Sequence, residues 1–218
     1  MKLFCPSLGL ALLLPGLLHA QGVRPVPGRP VVAAPAGAGP ASQLVRVRSV
    51  KAETIGSPEV DIRITGGGSP NQGKRPWLRI RAEYDTAELW SDEITFTFYA
   101  LLKAKRQEDV GPTGKQFNLF RGSVTYVDVP KGSRHYSDMF LHPDTYTRFA
   151  GADKGAVEKV AVVVSVGGQM AAVLSDPADN RRWWDEHAPM PATLLNLEQT
   201  PYLLLNLDDH HQIKPGNR

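Results

Sequence analysis

The sequence predicts a mainly β, sandwich-like domain, and three observations carry that expectation. Apolar and polar residues alternate with period two in one segment after another, which puts one face of each segment in a core and the other in solvent. A β-branched stretch from Val157 to Val166 passes through Gly167-Gly168 into Met170–Leu174, the pattern of a central strand and a two-residue hairpin turn. Strands and helices do not alternate regularly, so a parallel sheet sandwiched by helices is not expected. The segments amount to about seven to nine strands with one or two short helices.

Taken in order, Leu44–Val50 sets Val45 and Val47 against Arg46 and Arg48, and Val60–Ile64 repeats the device with Asp61 and Arg63 outward. Trp77–Tyr84 and Ile94–Leu102 read as a third and a fourth strand. A long run, Gln116–Val129, follows; Gly122 within it suggests a bulge or bend, and Pro130-Lys131-Gly132 is expected to end it. Asp144–Phe149 after Pro143 reads as a short helix. Pro177–His187 reads as another, with Asp176 as cap and Pro177 in the first helical position. Leu194–Leu197 and Tyr202–Asn206 are expected to form a last edge pair.

The first 43 residues read differently. Lys2 gives a positive start, Leu3–Leu18 is almost wholly apolar, and Leu18-His19-Ala20 closes on a small residue before Gln21. This is the pattern of a secretory signal peptide, 1–20, cleaved between Ala20 and Gln21. The apolar run is shorter than the roughly 20 residues of a membrane-spanning helix, and Pro15-Gly16 interrupts it. Residues 21–43 are rich in Pro, Ala and Gly and read as an extended linker. The domain is expected over 44–210, with a C-terminal tail at 211–218.

Composition narrows the function. The chain is 42% hydrophobic and 22% charged, an ordinary globular balance. A net charge of +3 lacks the concentrated basic field of a nucleic-acid binder. The one cysteine, Cys5, lies in the leader, so neither a disulfide nor a thiol site is expected in the exported domain.

Three stretches imitate chemical motifs. Gly68 to Lys74 has phosphate-loop spacing, but Arg75 stands where Ser or Thr would bind magnesium, and a strand follows instead of a helix. Arg134–Asp138 and His142–Asp144 gather His135, His142, Asp138 and Asp144 near Ser137, without the spacing of a zinc or hydrolase signature. A polar loop leading to a helix cap accounts for them. Asp208-Asp209-His210-His211 reads as a solvated tail. The sequence therefore predicts no catalytic residue, cofactor or metal site. Trp183-Trp184, between Arg181-Arg182 and Asp185-Glu186, and Trp90, after Ala87-Glu88-Leu89, are the candidate partner-binding residues. For the Trp pair core packing is the favoured reading, because large aromatics usually bury most of their surface.

Taken together, the leader ending Leu18-His19-Ala20, the linker, the strands Ile94–Lys103 and Phe117–Val129, the segment Met139–Pro143 and the Trp183-Trp184 stretch resemble an exported Akkermansia-type protein associated with type IV pili. The resemblance implies an immunoglobulin-like β-sandwich at the cell envelope, with a role in pilus assembly, adhesion or host contact. The Cys…Trp…Cys spacing of antibody domains is missing. So is the long N-terminal helix of a polymerising pilin, which points to an accessory protein. The expected partners are other envelope or pilus proteins, met in the periplasm, at the outer membrane or on the cell surface. A carbohydrate-binding module acting on host or envelope glycans is the alternative, and a hydrolase or metal enzyme using His135–Asp144 is a third reading.

Overall fold

Period-two patterning continues through strands longer than the segments that announce them. In a computed structural model, residues 44–58, 75–105, 110, 116–191, 193–205 and 210–216 are described. The Ala20/Gln21 junction, the 21–43 linker, the 60–64 strand and the Gly68–Lys74 loop lie outside them. The chain is mainly β: β1 (Val45–Gly56), β2 (Pro76–Lys103), β3 (Phe117–Leu141), α1 (Pro143–Ala150), β4 (Val157–Val166) and β5 (Gln169–Asp176).

All pairings are antiparallel. β3 follows one side of β2 from Leu78↔Leu141 to Lys103↔Phe117. The other side of β2 is shared: β1 pairs with its first half, Pro76–Thr86, and β4 with its second, Ile94–Leu102. β5 then extends the sheet beyond β4. The sheet can serve two layers because β2 and β3 bend together. Ala87, Glu88 and Leu89 intervene between Thr86↔Gly132 and Trp90↔Pro130, where β3 has only Lys131. Extra residues on one strand bend it and increase its twist. β3 turns at the same level through Asp128 and Arg134, whose φ values are 53° and 61°. The sheet curls until β1 comes against β4 and β5, and the inner faces bury Ile80, Tyr84, Phe96, Phe98, Tyr126, Phe140 and Val162 in one core.

This bend corrects two boundaries. Trp77–Tyr84 and Ile94–Leu102 belong to one strand, and Pro130-Lys131-Gly132 is a kink inside β3 instead of its end. Counted by half-strands, β2 and β3 make four segments and the described sheet seven. Gly122 lies in regular register with Phe98, so it is no bulge. It permits a close approach: a Cβ there would fall 2.5 Å from Met139 Cε and 2.7 Å from the Leu194 carbonyl.

The Gly167-Gly168 hairpin forms with φ values of 55° and 78°, as a turn with two left-handed residues requires. α1 also forms, with His142 at its N-cap accepting from the Asp144 amide and Gly151, φ 61°, closing its end. The expected helix at Pro177–His187 shrinks to a single 3₁₀ turn, Trp183–Glu186, and its N-cap residue Arg182 makes no side-chain capping bond. Leu194–Leu197 and Tyr202–Leu205, the described part of the expected edge pair, do not pair with each other. Leu195 bridges Phe140 of β3 instead, and Leu197–Gln199 and Pro201–Leu204 are 3₁₀ turns.

Candidate functional site

Partners that bind β proteins commonly do so at unpaired edges and exposed apolar residues, so the described edges define the candidate site. The free edge of β3 is covered by the chain that follows β5. Met190 N donates to Leu119 O at 2.8 Å, Leu194 N to Arg121 O at 3.0 Å, and Phe140 and Leu195 exchange bonds at 2.8 and 2.7 Å. Farther along, Val127 N donates to Gln212 O at 3.0 Å and Lys214 N to Thr125 O at 2.7 Å. The outer edge of β1 carries Arg46, Arg48, Lys51 and Glu53, charges that discourage pairing with another chain.

β5 differs. Among the described residues no strand pairs with its outer edge. Its sequence, Gln169–Ser175, is uncharged, and Met170 is exposed. Both faces of the strand are packed: Ala172 and Leu174 lie against the main core, and Val173 against a second cluster. A strand held on both faces keeps its edge donors and acceptors in fixed register for a further strand.

The second cluster is where Trp183 and Trp184 lie. They are 2% and 4% exposed and pack with Leu101, Leu119 and Ala161. Trp184 stacks on Tyr99 at 5.0 Å between ring centroids, Trp183 meets Trp184 edge-on, and Trp183 Nε1 donates to Ser175 Oγ at 3.1 Å. Lys159 holds the segment leading to them through Asp179 at 2.8 Å, and that bond and the Arg181 amide bring the Asp179 carboxyl down to about 2. Neither Trp presents a face to a partner: both are packed as the favoured core reading expects, and their place among the partner-binding candidates is corrected. The outer face of the β2–β5 layer is apolar and has to be covered, and these two rings cover it. Trp90 remains outward, 60% exposed beside Leu89 at 75%, on the bend of β2.

The expected His135–Asp144 grouping is divided between two places. His142 and Asp144 cap α1, where Asp144 pairs with Arg75. His135 and Asp138 lie within β3 and meet His211 and His210, so the 210–211 pair is docked and not a solvated tail. Asp138, 1% exposed, accepts from Arg81 at 2.8 and 2.7 Å and lies 3.2 Å from His210 Nε2. Burial opposes ionisation of that carboxyl, but Arg81 and His210 outweigh it and hold it below the usual carboxylate range. His135 Nδ1 lies 3.0 Å from His211 Nε2. Sequence reasoning noted both pairs separately, but nothing local shows that residues 72 and 76 positions apart will touch.

Chemically, these groups are already engaged with one another. Among the described residues no three His, Cys, Asp or Glu side chains are set to hold a metal ion. A surface hollow lined by Lys103, Ala104, Lys105, Gln116, Gly155 and Ala156 carries two lysines but no adjoining nucleophile and base. No helix among the described residues is long and apolar enough to cross a membrane.

The described sheet is a curled antiparallel β domain with one edge strapped, one lined with charges and one unpaired. One protein-family model matches residues 38–217, and the chain belongs to that family, in keeping with the Akkermansia-type resemblance of its sequence. A crystal structure of a protein from Akkermansia muciniphila matches with a TM-score of 0.64 at 23% identity, over 80% of this chain and 94% of the other. At that identity the likeness concerns the fold. No curated protein matches.

Proposed function

We propose that the protein is an exported, non-enzymatic component of the cell envelope that binds other envelope proteins, as an accessory to type IV pilus assembly or adhesion. The open, uncharged edge of β5 carries this reading. Strand addition there would supply affinity through the backbone, and the exposed Met170 would contribute an apolar contact at the start of the new ladder. Trp90 and Leu89 offer a second contact from the bend of β2. The Akkermansia-type family resemblance supports an envelope setting, and the signal-like leader supports export. The glycan reading lost its main support when Trp183 and Trp184 proved buried.

A photo-crosslinking residue in place of Met170, with one at Lys51 on the charged edge as control, tests the reading in cells. Pilus or other envelope proteins attached at Met170 and absent at Lys51 are the expected result. Equal labelling at both positions, or none at Met170, would reject it. With the crosslinker kept at position 170, Gln169→Lys on the same exposed end of β5 is expected to reduce the specific adduct by about tenfold, because a lysine on an edge strand opposes strand addition.

A further inference from the structure

We propose that His135 and His211 form an acid-released latch that holds the C-terminal strap, residues 210–214, on the edge of β3. The inference is independent of the β5 reading.

Hydrogen-bond direction settles which nitrogen of each ring carries the proton. The Thr86 hydroxyl donates to Pro130 O at 2.7 Å and accepts from the Gly132 amide at 2.9 Å. With its proton already used, Thr86 Oγ1 can only accept from His135 Nε2–H, at 3.3 Å. His135 Nδ1 is then the acceptor, and His211 Nε2–H donates to it across 3.0 Å. The contact holds while His135 Nδ1 carries no proton. Once protonated there, the ring turns an N–H toward an N–H, and the bond becomes a repulsion between donors.

The surroundings favour the unprotonated state. Tyr84 of β2 and Tyr126 of β3 place their rings against the pair, at 5.3 Å from His135 and 6.3 Å from His211. His210 on the strap adds a like group, and burial is the main cause that depresses both rings, bringing His211 down to about 4. Asp85 of β2 works the other way on His135, but it is engaged with Arg48 at 2.7 Å and with the Arg134 amide at 3.0 Å. Asp138 of β3 lies 3.2 Å from His210 Nε2, and Arg81 of β2 shares that carboxylate. An ionised carboxylate only accepts, so no donor faces a donor at His210–Asp138, and the opening is confined to His135–His211.

Loss of the latch frees the bonds next to it: Val127 N to Gln212 O, Lys214 N to Thr125 O and the Tyr126↔Ile213 bridge. That uncovers a stretch of β3 edge which is sealed at neutral pH.

Amide exchange of the full chain, corrected for intrinsic rates, tests this between about pH 7 and about pH 4.5, a span in which a histidine can change charge. Val127 and Lys214 are expected to lose at least about tenfold in protection, with Phe98 and Val162 unchanged and the His135 ring titrating at the same midpoint. His135→Asn keeps an acceptor at the Nδ1 position but cannot titrate, and its strap should stay protected throughout. Retained protection in the natural protein, loss shared equally by Phe98 and Val162, or a His135 midpoint apart from that of the strap would each overturn the latch. None of these three readouts needs a variant.

Discussion

Single residues in this fold do two jobs that their neighbours in sequence do not reveal. Arg81 lies on β2 and Asp138 on β3, register partners whose side chains form a two-pronged pair with the carboxylate buried. Removing the cation leaves that charge, among the described residues, with His210 beside it, and breaking a buried pair costs about 3–5 kcal/mol. Arg81→Met should therefore lower unfolding stability in urea by about 3 kcal/mol, the low end because the guanidinium is partly exposed, and should raise the Asp138 pKa measured by NMR. Gly122 is the second case. Gly122→Ala meets the Leu194 backbone as well as the flexible end of Met139, so a loss of about 1–3 kcal/mol is expected, and it should appear in the urea midpoint with the slope unchanged. From sequence alone Gly122 resembled a bulge. Only the arrival of Leu194 across β3 reveals what its missing side chain is for.

At the scale of elements, local chemistry and tertiary demand can be told apart. The Gly167-Gly168 turn was legible because its chemistry is local: both residues take left-handed φ, and a Cβ at either would meet nothing within 4 Å. A substitution there pays only the conformational term. Gly168→Val should cost about 1–2 kcal/mol in thermal or urea unfolding, and Gly168→Asn clearly less, since asparagine tolerates that region. α1 was legible for a similar reason, with Pro143 and Asp144 in its first turn. The Pro177–His187 segment carried comparable helix signals and does not form one. Two adjacent tryptophans must both cover the outer face that runs from β2 and β3 to β4 and β5, and a regular helix would carry one of them away from it. Burying both rings outweighs the backbone bonds of a short helix.

For the whole molecule, titrating groups set a stability profile with a defined sign. His135 and His211 are held below the ordinary 6.5, so the folded state binds fewer protons than the unfolded chain; their contribution is full above 6.5 and is lost as pH falls toward the folded value, about 4 for His211. Asp85 and Asp138 are held below the ordinary 3.8, and their contribution is lost in a second step as pH falls below that value. Burial raises Tyr84 and Tyr126 above the ordinary 10.0, so the fold also weakens as pH rises past it. Urea unfolding followed across pH should show a neutral plateau, a histidine step of about 1–2 kcal/mol after discounting for partial exposure, and a steeper fall in the carboxylate range. A profile that stays flat down to the carboxylate step would mean that the two histidines are accessible in the folded protein.

Period-two alternation, the β-branched run of β4 and the Gly-Gly turn are properties of neighbouring residues, and these by themselves determined that the chain is mainly β with an antiparallel hairpin. The signal-like pattern of residues 1–20, the Pro-rich composition of 21–43 and the family resemblance are likewise read from the sequence. Tertiary structure decided the rest. It made β2 and β3 single bent strands, because a curled sheet can bury both halves of the same ribbon in one core. It also turned Trp183 and Trp184 inward, strapped β3, left β5 open and brought His210 and His211 to β3 from more than seventy residues away. Contacts of that range depend on how faces and edges are satisfied in space, which no local pattern encodes.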